Sequence, residues 1–111
     1  MIVLAEKKEL ALIAQYQETD SFACRILCIA NMYENYPFAD FWIQKQEEAG
    51  QPTAYLSKMD GVITLFVHEN ADFDELCMFI KMIGARCIMC HASCAEQLHI
   101  TPVRTTFSRP R

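Results

Sequence analysis

Apolar positions along this chain switch between two spacings, and the switches mark out its elements. Met1 to Leu4 is a short apolar run and reads as a first strand. From Glu6 to Gln17, Leu10, Ile13, Ala14 and Tyr16 recur at near-helical spacing with Lys7, Lys8 and Glu9 outside them, which predicts an amphipathic helix. Thr19-Asp20-Ser21 is a cluster of helix-capping residues. Phe22, Ile26, Ile29, Ala30 and Tyr33 then recur at three and four, a second helix that ends near Asn35-Tyr36-Pro37. Cys24 and Cys28 lie four apart on it; a metal there needs partners from elsewhere, and helix packing is the simpler reading.

The period then changes to two. Phe38 to Gln44 alternates, with Asp40, Trp42 and Gln44 on one face and Ala39, Phe41 and Ile43 on the other. A polar loop from Glu47 to Pro52 closes it, and Thr53 to Lys58 is the next strand. Met59-Asp60-Gly61 is a turn whose Asp-Gly pair favours a tight hairpin. Val62 to His68 is a third strand of this group, so the three form an antiparallel meander. Asp72 can cap a following helix, with Glu75 three residues on as in a capping box. Phe73, Leu76, Cys77, Phe79, Ile80 and Ile83 give that helix a broad apolar face, and Gly84 is placed to end it. Ala85 to Cys90 is a further strand. Ser93 and Glu96 make a second box, opening a short helix to about Leu98. The order is β-α-α-β-β-β-α-β-α, an α/β fold with a mixed sheet.

Composition bounds what such a fold does. At 111 residues the chain is one domain, long enough for a core without staples. Residues 1–100 form that domain and 101–111 a tail or linker. The net charge of −4 argues against a nucleic-acid partner, and Arg104, Arg109 and Arg111 are too few to reverse this. No apolar run reaches the ~18 residues of a membrane span. The first residues lack the basic and long apolar regions of a secretory signal, which points to the cytoplasm. Six cysteines, at 24, 28, 77, 87, 90 and 94, would there be reduced. Buried, unpaired cysteines that pack like small hydrophobes are the expectation.

One stretch, Cys87-Ile88-Met89-Cys90-His91, matches the C-x-x-C-H attachment sequence of c-type haem, and with Cys94 it also resembles part of a zinc knuckle. On a strand, Cys87 and Met89 point one way and Ile88 and Cys90 the other, so the two thiols do not converge on one metal or one haem edge. A zinc site from Cys87, Cys90, His91 and Cys94 lacks a second separated pair. Cys94, in the first turn of the last helix, is the most plausible reactive cysteine of the six, because the helix dipole lowers a thiol pKa there, but no base is fixed beside it in sequence and a passive thiol is the expectation.

The element order, together with "DSFACRILCIANMYENYPFADFWIQ" and "AYLSKMDGVITLFVHENADFDELCMFIKMIGA", resembles the GNAT superfamily of acyl-CoA N-acyltransferases. The likeness is to the divergent amino-terminal domain of certain bacterial members, which precedes a more regular acetyltransferase domain, and it covers most of residues 1–100. The family holds the acyl-CoA pyrophosphate on a Gly-rich Q/R-x-x-G-x-G/A loop at a helix N-terminus. Here that junction reads Glu69-Asn70-Ala71-Asp72-Phe73-Asp74-Glu75, with four carboxylates and no glycine. The family's last two strands are missing and no tyrosine lies beyond Tyr55 to serve as its general acid. His68 and Glu69 lie near where members place a general base, but without the loop they read as strand-end polar residues.

The resemblance therefore implies a GNAT-like domain without a cofactor site, which would brace a catalytic domain or shape its substrate cleft. No catalytic, cofactor-binding or metal-ligating residue is assigned to this chain, and acetyl-CoA is expected only for a full-length parent. Two alternatives stand: an interaction module that dimerises through the edge of an incomplete sheet, and a thiol or zinc module around Cys87 to Cys94.

Overall fold

Asp60 and Gly61 both adopt positive φ, 55° and 75°. That is the conformation a two-residue hairpin turn demands, and Asp-Gly supplies it at low cost. The turn joins β3 (Ala54–Met59) to β4 (Val62–Val67), with Met59 opposite Val62. In the computed structural model, which describes residues 1–32, 39–46 and 50–98, this hairpin is the middle of a five-stranded sheet. Its strands lie side by side in chain order: β1 (Ile2–Leu4), β2 (Ala39–Gln44), β3, β4 and β5 (Cys87–Met89). The first three pairings are antiparallel and β4 with β5 is parallel. The expected end of the second helix near Asn35-Tyr36-Pro37, the start of β2 at Phe38, the first half of the Glu47–Pro52 loop and the tail from 101 lie outside the described residues.

Both faces of the sheet are covered. On one, Ala54, Leu56, Ile63 and Leu65 pack with Leu76 and Ile80 of α3 (Phe73–Ile83) and with Cys94, Ala95 and Leu98 of and just after α4 (Ala92–Gln97). On the other, Ile43, Tyr55 and Phe66 pack against Ala23 and Ile26 of α2 (Ser21–Met32) and Leu10 and Ile13 near the start of the chain. This explains why β3 and β4 carry apolar residues at nearly every position: each buries both faces. The alternation expected in β2 holds, with Trp42 against Phe79 on the α3 side and Phe41 and Ile43 on the α2 side.

The first helix is shorter than its periodicity suggests. α1 covers Lys7–Leu10, and Ala11–Tyr16 then winds more tightly as a 3₁₀ helix. The reason lies in which residues are buried. Leu10 and Ile13 are inside, Tyr16 is half-buried and Ala14 is exposed, so the covered positions recur at three rather than 3.6. A capping box of Glu6 and Glu9 opens α1, and Glu9 also pairs with Lys45 at 2.6 Å, pinning it to the end of β2.

α3 starts where expected, but its cap is only half the expected box. Asp72 accepts from the Glu75 amide at 3.1 Å, whereas the Glu75 carboxylate does not return to Asp72. Gln44, fully buried at the end of β2, does so instead. Its Oε1 accepts from the Asp72 amide (2.9 Å) and from Thr53 Oγ1 (2.7 Å). Its Nε2 donates to the Asp72 carbonyl and to Glu75 Oε1, both at 2.9 Å. Gly84, at φ 74°, ends α3 with its amide on the Ile80 carbonyl.

One expectation for the last helix is corrected. Ser93 is not its cap: α4 begins at Ala92 after His91, and no capping side-chain bond forms there. The entry is set from outside the helix, by the His91 ring bonding to Asp20. Cys94 is 3% exposed, because Cys94, Ala95 and Leu98 form the face of α4 turned to the sheet.

Candidate functional site

β4 ends at Val67, and the chain turns through His68 to Ala71, whose amide bonds back to the His68 carbonyl at 3.1 Å. α3 then leaves the sheet, and β5 returns beside β4 and runs into α4. The divergence leaves a cleft of about 340 Å³ lined by Val67, His68, Glu69, Phe73, His91, Ser93, Cys94 and Gln97. Four residues singled out in the sequence for different reasons, His68, Glu69, His91 and Cys94, thus meet at one place. Cys87 and Cys90 do not line it.

His91 is the best-positioned of these side chains. Its Nε2 lies 2.5 Å from Asp20 Oδ2, and since a carboxylate only accepts, Nε2 carries the hydrogen. Its ring meets Phe22 edge-on, with centroids 4.7 Å apart. Asp20 serves two elements at once: its other oxygen accepts from the Phe22 and Ala23 amides at 2.9 and 3.0 Å and so caps α2. The cap was legible in the sequence, whereas the bond to a histidine 71 residues away was not.

His68 faces aromatic rings. Tyr16 and Phe66 each place their centroids 5.2 Å from it, and Tyr55 lies at 6.2 Å. Burial holds its pKa below the ordinary histidine value, so the ring is neutral at pH 7. Burial also pushes Tyr55 up to about 12, with Tyr16 and Glu9 adding to the effect. Because the folded state binds the His68 proton less readily than the unfolded state, its contribution to stability is present above the unfolded value of about 6.5 and is lost as pH falls below it. In a histidine-resolved NMR titration, His68 is expected to show a midpoint below that ordinary value.

Cys94 does not behave as an activated thiol. Its partner is the Cys90 sulfur, and that bond first, then burial, pushes the Cys94 thiol well up. The side chains that could form a nucleophile–base pair are thus turned to other partners: Cys94 to Cys90, His91 to Asp20. Cys90 and Ile88 pack under α3, and Cys87 lies outside that cluster. Among the described residues, no group of three or more His, Cys, Asp or Glu side chains is placed to hold one metal ion.

The start of α3 is poorly suited to a diphosphate. Its Asp72 amide is taken by Gln44 and its Glu75 amide by the Asp72 carboxylate. Glu69, Asp72, Asp74 and Glu75 surround the same point. The group that the family resemblance calls for there, an acyl-CoA, does not fit these residues: two of the amides at that end already have acceptors, and the local charge has the wrong sign. No described helix is long and apolar enough to cross a membrane. Set against family models, curated proteins and solved structures, the chain matches none of them.

Proposed function

We propose that this chain is a GNAT-like domain that does not bind acyl-CoA and acts through its surface, bracing a catalytic acetyltransferase domain or shaping the acceptor side of its cleft. The observation that carries this reading is the start of α3, where Gln44 and the Asp72 carboxylate take two of the amides and Glu69, Asp72, Asp74 and Glu75 put four carboxylates where a pyrophosphate would sit. The sheet supports the family part of the reading. An antiparallel run leads to a single parallel pair, β4 and β5, joined through α3, with a cleft where β4 ends. The edge of β5 is the place from which two further strands would extend the sheet. The parent polypeptide is expected to continue beyond Arg111 into a segment with the Q/R-x-x-G-x-G/A loop. Sequencing the messenger across this point checks it, and a stop codon directly after Arg111 would contradict the bracing role.

One observation favours a second reading, self-association. β5 is three residues long, half-buried and at one edge of the described sheet, so its outer backbone groups can pair with a second copy. Sedimentation of the isolated chain separates the two, since a concentration-independent monomer is expected of a bracing domain and a dimer of the alternative.

A further inference from the structure

We infer that α2 carries a binding site for a soft monovalent cation of the Cu(I) class, formed by Cys24, Cys28 and Met32. The three sulfur-bearing residues stand at i, i+4 and i+8, on successive turns of a twelve-residue helix. The helix buries Phe22, Ala23, Ile26 and Ile29, and none of the three sulfurs belongs to either core cluster. Cys28 is exposed, Cys24 is half-buried and Met32 is 66% exposed. Helix packing, the role expected for the two cysteines, therefore does not account for Cys28.

The Cys24 and Cys28 sulfurs are 4.0 Å apart. A thiolate–metal bond is about 2.3 Å, so two of them in line span about 4.6 Å. A small change at one or both χ1 angles, on an exposed face, makes up the difference. Each thiol gives up its proton to solvent and each sulfur donates a lone pair, so one cation enters, two protons leave, and no oxidant or reductant takes part. The flexible Met32 thioether, one turn further on, can supply a third soft donor. Zinc wants four ligands in a tetrahedron, and no third Cys, His, Asp or Glu is placed to serve it among the described residues. Two thiolates and a thioether are the donors that select Cu(I) instead. This inference is independent of the acyltransferase-like reading, since α2's outer face takes no part in the cleft.

The test is an anaerobic titration of the reduced chain with Cu(I) against a chromogenic Cu(I) chelator of known affinity. One tightly held equivalent is expected. The C24S/C28S double variant, folded by circular dichroism, should hold it at least about 100-fold more weakly, and M32L roughly 3- to 10-fold more weakly at unchanged stoichiometry. A 100-fold excess of Zn(II) should not displace it (roughly the selectivity of a soft donor set). Undiminished binding by C24S/C28S, displacement by zinc, or no binding by the wild-type chain would each overturn the site.

Discussion

Replacing Gln44 by Leu is expected to destabilise the fold by about 3 kcal/mol. The side chain is fully buried and makes four hydrogen bonds, joining β2 to Thr53 and to both backbone groups of the residue that caps α3. Leucine fills a similar volume, so the loss is not a cavity effect. It leaves the Asp72 amide and the buried Thr53 hydroxyl without the acceptor they use, takes from the Asp72 carbonyl one of two donors, the other being the Leu76 amide at 3.1 Å, and unties β2 from α3; a buried polar group without a partner costs about 1–3 kcal/mol. Part of that cost is relieved where Thr53 turns to the Gln44 backbone carbonyl, 3.2 Å away. Thermal unfolding should show a midpoint lower by roughly 15 °C. Gln44→Glu should be comparably destabilised at pH 7, because an ionised carboxylate cannot donate to Asp72 and is brought against Glu75. Unlike the leucine variant, it should recover partly below about pH 5, where the new carboxyl protonates. A leucine variant within about 1 kcal/mol of wild type would show that the network holds nothing.

The second large effect concerns the thiols. In the native state Cys90 and Cys94 should react with an alkylating reagent at least about 1000-fold more slowly than Cys28, since they become reachable only when the domain opens. Cys90 is fully buried and Cys94 nearly so, on the face of α4 that meets the sheet. Cys28 is exposed on α2, and half-buried Cys87 should fall between. Timed labelling followed by peptide mapping reads all six rates from one sample, and denaturant should bring them together. Cys94 labelling as fast as Cys28 would mean that α4 is loosely docked.

That prediction follows the passive-thiol expectation and sets aside the helix-dipole argument for a reactive Cys94. A thiol in the first turn of a helix meets a favourable dipole, but the dipole acts only on a thiolate that water can reach. Which side of α4 faces the sheet follows from the spacing of Cys94, Ala95 and Leu98 over a six-residue helix, too short for a clear apolar stripe. The longer patterns were readable. Alternation placed β2, a nearly unbroken apolar run placed β4, the Asp-Gly pair placed the hairpin, and Asp72 and Gly84 bracketed α3 to the residue. What local pattern could not show were bonds between distant segments. Asp20 looked like a helix cap and is one, yet its second oxygen fixes His91 at the cleft. Gln44 looked like a polar residue at a strand end, yet it completes the cap of a helix 28 residues away. The spacing of α1 pointed to one helix because positions 10, 13 and 16 suit both an α and a 3₁₀ winding. Only the exposure of Ala14 separates them.

The cleft was legible in parts rather than as a place. His68, Glu69, His91 and Cys94 each carried a chemical reason to be noticed, and the β4–α3–β5–α4 connection brings them together around about 340 Å³. The β4–α3 junction carries four carboxylates at the helix start, and Gln44 reaches it from β2.

Calorimetric titration of the reduced, monodisperse chain with acetyl-CoA tests that central point most directly. The account predicts no saturable heat up to about 1 mM ligand, a binding free energy weaker than about 4 kcal/mol. One-to-one binding with a low-micromolar dissociation constant would contradict it.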